Sequence, residues 1–451
     1  MNLTNEGAEP SRRSEAAAAV LAAIDKNWTR QLAFLQELVR EDSIAGNEAG
    51  AQSLVKKQFD QLDVATDSWA ITDGMLERWK GIAGTGTAPY ADRPNLAATM
   101  NGAGGGRSLI LNGHIDVVPP GPESVWHSSP WEPRIEGGRM FGRGTADMKA
   151  GVTSLVFVGH ALRDANVTLC GDLTLMTVID EECTGNGTLS AIDRGYRADA
   201  AIMPEPSGCR ARDAEVAVLW VRITTRGRGG HAKNAGASVN AIDKAAFLVA
   251  GVHELQERAN AAPGRPAVFE GIEHPLNYNV GVISGGDWAS SVPPLCSFEV
   301  RISAFPGEKI EDIRRKFEEG LLEIAARDPW LKESPPEVEW IGFAAVGSQM
   351  ERDAELFAML GEVHGEITGE ILGFDTALGT SDQRLFIHQA DMPATVYGPL
   401  GGDQHGPAEW VDIESIKQAT KVLALFALDW CGISTDEATK TATPQTESKS
   451  S

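Results

Sequence analysis

The 451-residue chain has few cysteines, no long apolar run and fewer basic than acidic residues, and each shortage closes off a class of function. Its five cysteines (Cys170, Cys183, Cys209, Cys296 and Cys431) include no Cys-x-x-Cys pair. That argues against a disulfide scaffold and against a thiolate zinc site. Lys and Arg number 40 against 63 Asp and Glu, for a net charge of −23. With no cluster of basic residues to offset it, such a surface repels phosphate backbones, so no nucleic-acid partner is expected. No segment approaches the roughly 20 apolar residues that span a bilayer. Arg12 and Arg13 followed by an alanine-rich stretch superficially suggest a secretion signal. The stripe Val20, Ile24, Trp28, Leu32, Leu35 and Val39 instead has the three-and-four spacing of a surface helix. The expectation is a cytoplasmic protein with no membrane partner.

Hydrophobic residues make up 42% and charged residues 23%, a globular balance, and the length favours two domains over one core. Apolar strands are expected at 108–112, 172–179 and 198–203, with a helix at 146–163 between the first two. This alternation implies an α/β domain: a mostly parallel sheet with helices on both faces and ligands gathered at strand ends. From Val216 the order becomes strand 218–225, helix 239–255, strands 278–283 and 294–304, helix 308–326 and strand 338–343. That βαββαβ order is ferredoxin-like and reads as an inserted α+β unit. A helix at 356–368, a strand at 394–397 and a helix at 414–430 return to the first domain. The expected division is a discontinuous catalytic domain (1–215 and 347–433), an inserted lid (216–346) and a disordered tail (434–451).

The polar clusters fall at the ends of these elements. Strand 108–112 runs into Gly113-His114-Ile115-Asp116, and two residues of extended chain put His114 and Asp116 on one side. Gly142-Arg143-Gly144-Thr145-Ala146-Asp147 sets Asp147 at a helix start, where simple capping would also explain it. Strand 172–179 ends in Asp180-Glu181-Glu182, three carboxylates that repel one another unless a cation intervenes. Strand 198–203 ends in Pro204-Glu205-Pro206, and the late loop Gly401–Gly406 carries His405. Each cluster alone is ordinary. Taken together, four successive strand ends of one α/β domain deliver His, Asp, a Glu pair and Glu, and a late loop delivers a second His, a ligand set suited to a pair of zinc, cobalt or manganese ions.

The strings GHIDVVP, GRGTADMKAG, DEE, MPEPSG and the late HGP, in this order over about residues 30–432, resemble the co-catalytic metallohydrolases. That family includes acetylornithine deacetylase, succinyl-diaminopimelate desuccinylase, aminoacylase-1 and a bacterial glutamate carboxypeptidase. The resemblance implies His114, Glu182, Glu205 and His405 as outer ligands of two divalent cations, zinc first with cobalt or manganese admitted, and Asp147 as the bridge. It implies Asp116 as the residue orienting His114 and Glu181 as the general base. It also implies His231, in RGRGGHA, as an oxyanion donor, commonly across the interface of a homodimer formed through the lid. The implied reaction is hydrolysis of an acyl–nitrogen bond in a small N-acyl substrate.

Substrate residues follow the resemblance less closely. Thr380 and Arg384 match the GTSDQR half of a carboxylate clamp. Ser290 and Ser303 stand where carboxylate-binding relatives carry Asn and Arg, and Arg301 on the same strand face could substitute for the missing Arg or be a cross-strand surface charge. Trp220 and Trp288 are expected in the core more readily than in a pocket. Four readings result. The first is a deacylase of an N-acyl amino acid or relative, and the second a deformylase of an aminopyrimidine-type amide, which needs no α-carboxylate clamp. The third is an exopeptidase or dipeptidase, and the last a non-catalytic dimeric binding protein, against which Glu181 argues.

Overall fold

A computed structural model describes residues 11–435, so nearly all of the expected tail lies outside the described residues. The central sheet has six strands in the spatial order Thr66–Ala70, Pro94–Met100, Leu173–Val178, Leu109–His114, Ala200–Met203 and Ala394–Val396. The last four run parallel to one another, and Pro94–Met100 is antiparallel to both its neighbours. All residues of Leu109–His114, Leu173–Val178 and Ala200–Met203 are buried, which requires cover on both faces of the sheet. The long helices Arg12–Arg40, Ala150–Asp164 and Ile413–Cys431 pack on one another. They share a core with the sheet through Val20, Phe34, Leu155, Phe157 and Phe426. No helix among the described residues is long and apolar enough to cross a membrane.

A second, fully antiparallel sheet has the order Asn279–Gly285, Leu295–Ala304, Ala217–Arg226, Glu337–Ala345. This is the strand order of the ferredoxin-like arrangement. Ala241–Ala261 and Ile310–Ala325 pack with this sheet around a separate core of Leu219, Ile223, Leu248, Phe298, Val300, Phe317 and Leu321. The chain crosses between the two sheets at Val216 and again at Val346-Gly347. A small third sheet stands at these crossings: Ala211–Glu215 pairs antiparallel with Ser348–Gln349 and parallel with Phe374–Ala377.

One expected element differs. The helix expected from 146 starts at Ala150, and Thr145–Lys149 is an irregular wide turn in which Asp147 has φ −114° and ψ 96° and is followed by a cis peptide bond. Asp147 is therefore not a helix cap. Its backbone is held elsewhere, as described next.

Candidate active site

Five segments converge near the C-terminal ends of the parallel strands. The imidazole of His114 is buried, with Nδ1 2.9 Å from the backbone carbonyl of Asp116, so its Nε2 is left facing the other ligands. Nε2 lies 3.1 Å from Asp147 Oδ1 and 3.6 Å from Glu205 Oε1. The other oxygen of Asp147, Oδ2, lies 3.6 Å from His405 Nε2, which is 3.2 Å from Glu182 Oε2. Two triads therefore share Asp147: His114–Asp147–Glu205 and Asp147–Glu182–His405, with the ligand atoms of each within 4.8 Å of one another. The resemblance implied that Asp116 orients His114; in the structure the Asp116 carbonyl meets Nδ1, and the carboxylate Oδ1 stands 3.8 Å from it. The Asp116 carboxylate instead accepts the backbone N–H groups of Glu181 at 3.2 Å and Glu182 at 3.1 Å.

Two further knots, which the sequence did not single out, hold the ligands. The Glu409 carboxylate accepts N–H groups from Gly144, Ala146 and Asp147 at 3.0, 3.0 and 3.1 Å and pairs with Arg143 at 2.6 Å. Asp180, at φ +68°, accepts from Tyr90 Oη at 2.7 Å and from Arg93 at 3.1 Å, with Arg93 also bound to Glu48 at 2.8 Å. His405 sits at φ +61°, a left-handed position rare for a residue with a side chain and typical of functional loops.

The electrostatics match a cation site. Glu182 pushes His405 up to about 11 against the opposing effect of burial, with the Asp147 hydrogen bond adding to it. Burial works against protonation of His114, yet Glu205 and Asp147 hold it well above the usual histidine range. Burial, together with Glu182, Asp180 and Glu48, raises Asp116 to about 8, and burial likewise raises Glu181 and Glu205. Glu181 Oε1 is buried without a protein partner. A crowd of oxygen and imidazole acceptors whose histidines are driven to take up positive charge fits divalent cations of the zinc, cobalt or manganese type.

A cleft of about 990 Å³ opens over this cluster, lined by Asp147, Glu181, Glu182, Glu205 and His405 on one side and by residues of the antiparallel sheet on the other. Arg301 and Thr380 line it, and so do Trp220 and Phe343, whose rings meet edge to face at 5.3 Å. Trp220 is thus a wall residue rather than a core one, and Trp288 is 73% exposed, so neither tryptophan is core. Arg301 donates to the carbonyls of Leu378 at 2.7 Å and Asn277 at 3.3 Å, which removes the reading of it as a cross-strand surface charge. Burial lowers its pKa. Arg384 does not line the cleft: it is 2% exposed and spends its guanidinium on the carbonyls of Ser381 and Thr184. His231 is exposed and also lies outside the lining, its Nδ1 accepting from Lys233 N at 3.1 Å. Ser303 is buried against Asn277 and Ser290 is exposed, and neither lines the cleft. The lining residues Arg212, Asn279, Glu299 and Asp375 were not legible in the sequence, because they lie on strands assigned to no motif.

The chain is similar to several known proteins. N-formyl-4-amino-5-aminomethyl-2-methylpyrimidine deformylase of Halalkalibacterium halodurans is 30% identical over 438 residues, covering 91% of this chain and 97% of the relative. Acetylornithine deacetylase of Proteus mirabilis is 29% identical over 340 residues, covering 75% and 82%. The solved structure of the dipeptidase Dug1p of Saccharomyces cerevisiae superposes with a TM-score of 0.79 at 14% identity, covering 93% of this chain and 99% of that one. Residues 110–429 match peptidase family M20/M25/M40, and on that match, with the shared-aspartate geometry beneath it, this chain belongs to that family.

Proposed function

We propose that this chain is a metal-dependent amidohydrolase that removes an acyl group from the nitrogen of a small N-acylated substrate. One observation carries the reading: Asp147 turns one oxygen to His114 and the other to His405, each histidine with a glutamate of its own. His114 and Glu205 would hold one cation, Glu182 and His405 the other, with Asp147 between them. Zinc is the first choice for this donor set and cobalt or manganese the next. When bound, the cations supply a Lewis acid and lower the pKa of water. Glu181 lines the cleft with one oxygen free of protein partners, so it takes the proton of the attacking water and returns it to the leaving nitrogen. Asp116 fixes the peptide groups of Glu181 and Glu182 and so aims both side chains. The full chain tested on N-acetyl, N-formyl and N-succinyl amides, with and without a chelator, decides the matter: hydrolysis insensitive to chelation overturns the proposal.

For the favoured substrate, an N-acyl amino acid or relative, Arg301 is the anion anchor and Thr380 a neighbouring hydrogen-bond donor. Arg301 reaches the cleft with no carboxylate among its hydrogen-bond partners. A second reading, a deformylase of an aminopyrimidine-type amide, is favoured by the Trp220–Phe343 wall beside Asp375 and Glu299 and by the deformylase relative. An aromatic amine stacks on such a wall and donates to such carboxylates.

We further assign a homodimer through the lid. The edge strand Asn279–Gly285 is exposed along nearly its whole length and shows Val282 at 53% and Ile283 at 57% beside Trp288. His231, outside the cleft of its own chain, would serve the second copy as oxyanion donor. The five free cysteines suit the reducing cytoplasm. Light scattering of the purified chain tests the dimer.

A further inference from the structure

The buried carboxylate of Glu215 has no part in the chemistry above. It is fully buried at the last residue of Ala211–Glu215, one residue before the chain crosses to the antiparallel sheet at Val216. Its Oε1 accepts from Ser348 Oγ at 3.1 Å, and Ser348 lies just beyond the return crossing. Its Oε2 accepts from Ser381 Oγ at 2.7 Å, and Ser381 follows Leu378, Gly379 and Thr380, three residues that line the cleft. Gln383 closes the knot, its Nε2 donating to Ser348 Oγ at 3.2 Å and its N–H to Ser381 Oγ at 3.3 Å. The backbone is equally tight, because a Cβ on Gly347 would stand 2.7 Å from the Glu215 carbonyl and 2.8 Å from Ala217 N. One side chain therefore ties both crossings between the two sheets to the loop that closes one side of the cleft.

We propose that Glu215 is a positioning residue for substrate binding, holding the loop 378–381 in register with the crossing to the antiparallel sheet. The loop is gripped from the other side by Arg301, whose Nη2 donates to the Leu378 carbonyl. Arg301 sets where Leu378 lies against the sheet, and Glu215 sets where Ser381 lies against the crossings. Between these two fixed points lie Gly379 and Thr380, which line the cleft together with Leu378. Burying an acceptor with two hydroxyl donors is a costly way to fill space, so its removal is felt where those donors sit.

This inference rests on the cleft being the substrate site, and the test separates the two. Glu215→Ala, Glu215→Gln and Ser381→Ala are compared with the parent for kcat and KM on the best-hydrolysed amide, for melting temperature, and for amide hydrogen exchange over residues 374–385. Glu215→Ala and Ser381→Ala are expected to raise KM about tenfold with kcat within about twofold, and to speed exchange in that loop. Glu215→Gln keeps the shape and one acceptor and is expected to fall between. Should Glu215→Ala fail to fold, the glutamine and Ser381 variants carry the comparison. Unchanged KM and loop exchange, with a lowered melting temperature alone, overturns the inference. A parent that hydrolyses no amide overturns the proposed function instead, and loop exchange then decides the role of Glu215.

Discussion

The Glu409 carboxylate receives the backbone N–H of Asp147 at 3.1 Å, so the residue shared by both triads is aimed by a glutamate 262 positions away in the chain. Glu409 is 1% exposed and also holds Gly144, Ala146 and Arg143. Without that anchor, an irregular turn such as Thr145–Lys149 has no helix of its own to keep its shape. Glu409→Gln is expected to lower bound metal per chain, measured by elemental analysis after gel filtration. Glu409→Ala strands the buried Arg143 and is expected to cost about 3–5 kcal/mol in urea unfolding as well.

Glu181→Gln separates proton transfer from metal binding. The amide keeps the shape of the side chain but cannot carry a proton between water and nitrogen. A fall in kcat of about 10²–10⁴-fold is expected. Metal content stays the same, because Glu181 belongs to neither triad. Turnover equal to that of the parent removes Glu181 from the mechanism.

Metal retention depends on pH in a direction set by the two histidines. Glu182 drives His405 up to about 11 despite its burial, while Glu205 and Asp147 drive His114 up, also against burial. A cation must displace the protons these imidazoles hold, so binding strengthens as pH rises and weakens as it falls. Competition with a chelator followed from pH 8 to pH 6 is expected to show apparent affinity dropping by up to about tenfold per pH unit for each proton displaced. An affinity that stays flat over that range contradicts the ligand assignment.

Arg301→Met distinguishes the two substrate readings. For a carboxylate-bearing N-acyl compound, loss of a charge-assisted bond worth about 1.5–3 kcal/mol raises KM about 10- to 100-fold. For an aminopyrimidine formamide, Arg301→Met is expected to raise KM by no more than the roughly tenfold that loosening the Leu378 carbonyl brings, and Trp220→Ala is expected to raise it further. Kinetics of both variants on both compounds make the choice.

Arg93 tests the scaffold behind the Glu181–Glu182 turn. It is 2% exposed and pairs with Glu48 and Asp180, both fully buried. Arg93→Met leaves two carboxylates uncompensated and is expected to destabilise the chain by about 3–5 kcal/mol in chemical denaturation.

The parallel strands and the βαββαβ insertion were legible in the residues alone, as was a constellation of His, Asp and Glu at strand ends, while the choice of Glu182 over Glu181 as a ligand came from the family resemblance. Short apolar runs alternating with helical stripes read as strands buried on both faces, and the carboxylates at their ends gained meaning only when taken together. The strands Thr66–Ala70 and Pro94–Met100 and the sheet at the crossings escaped, because short strands of mixed polarity carry no period that survives without their neighbours. The identity of His114 and Asp116 as a pair came from spacing, yet which atom of Asp116 meets the imidazole was settled only in three dimensions. So too with Arg384, which matched a substrate clamp by its string and is turned instead to the carbonyls of Ser381 and Thr184. Sequence determined which candidate ligands the strand ends carry. Tertiary structure decided which of their atoms meet and which charges, such as Arg301, are left beside the cleft, because those depend on contacts between segments hundreds of residues apart.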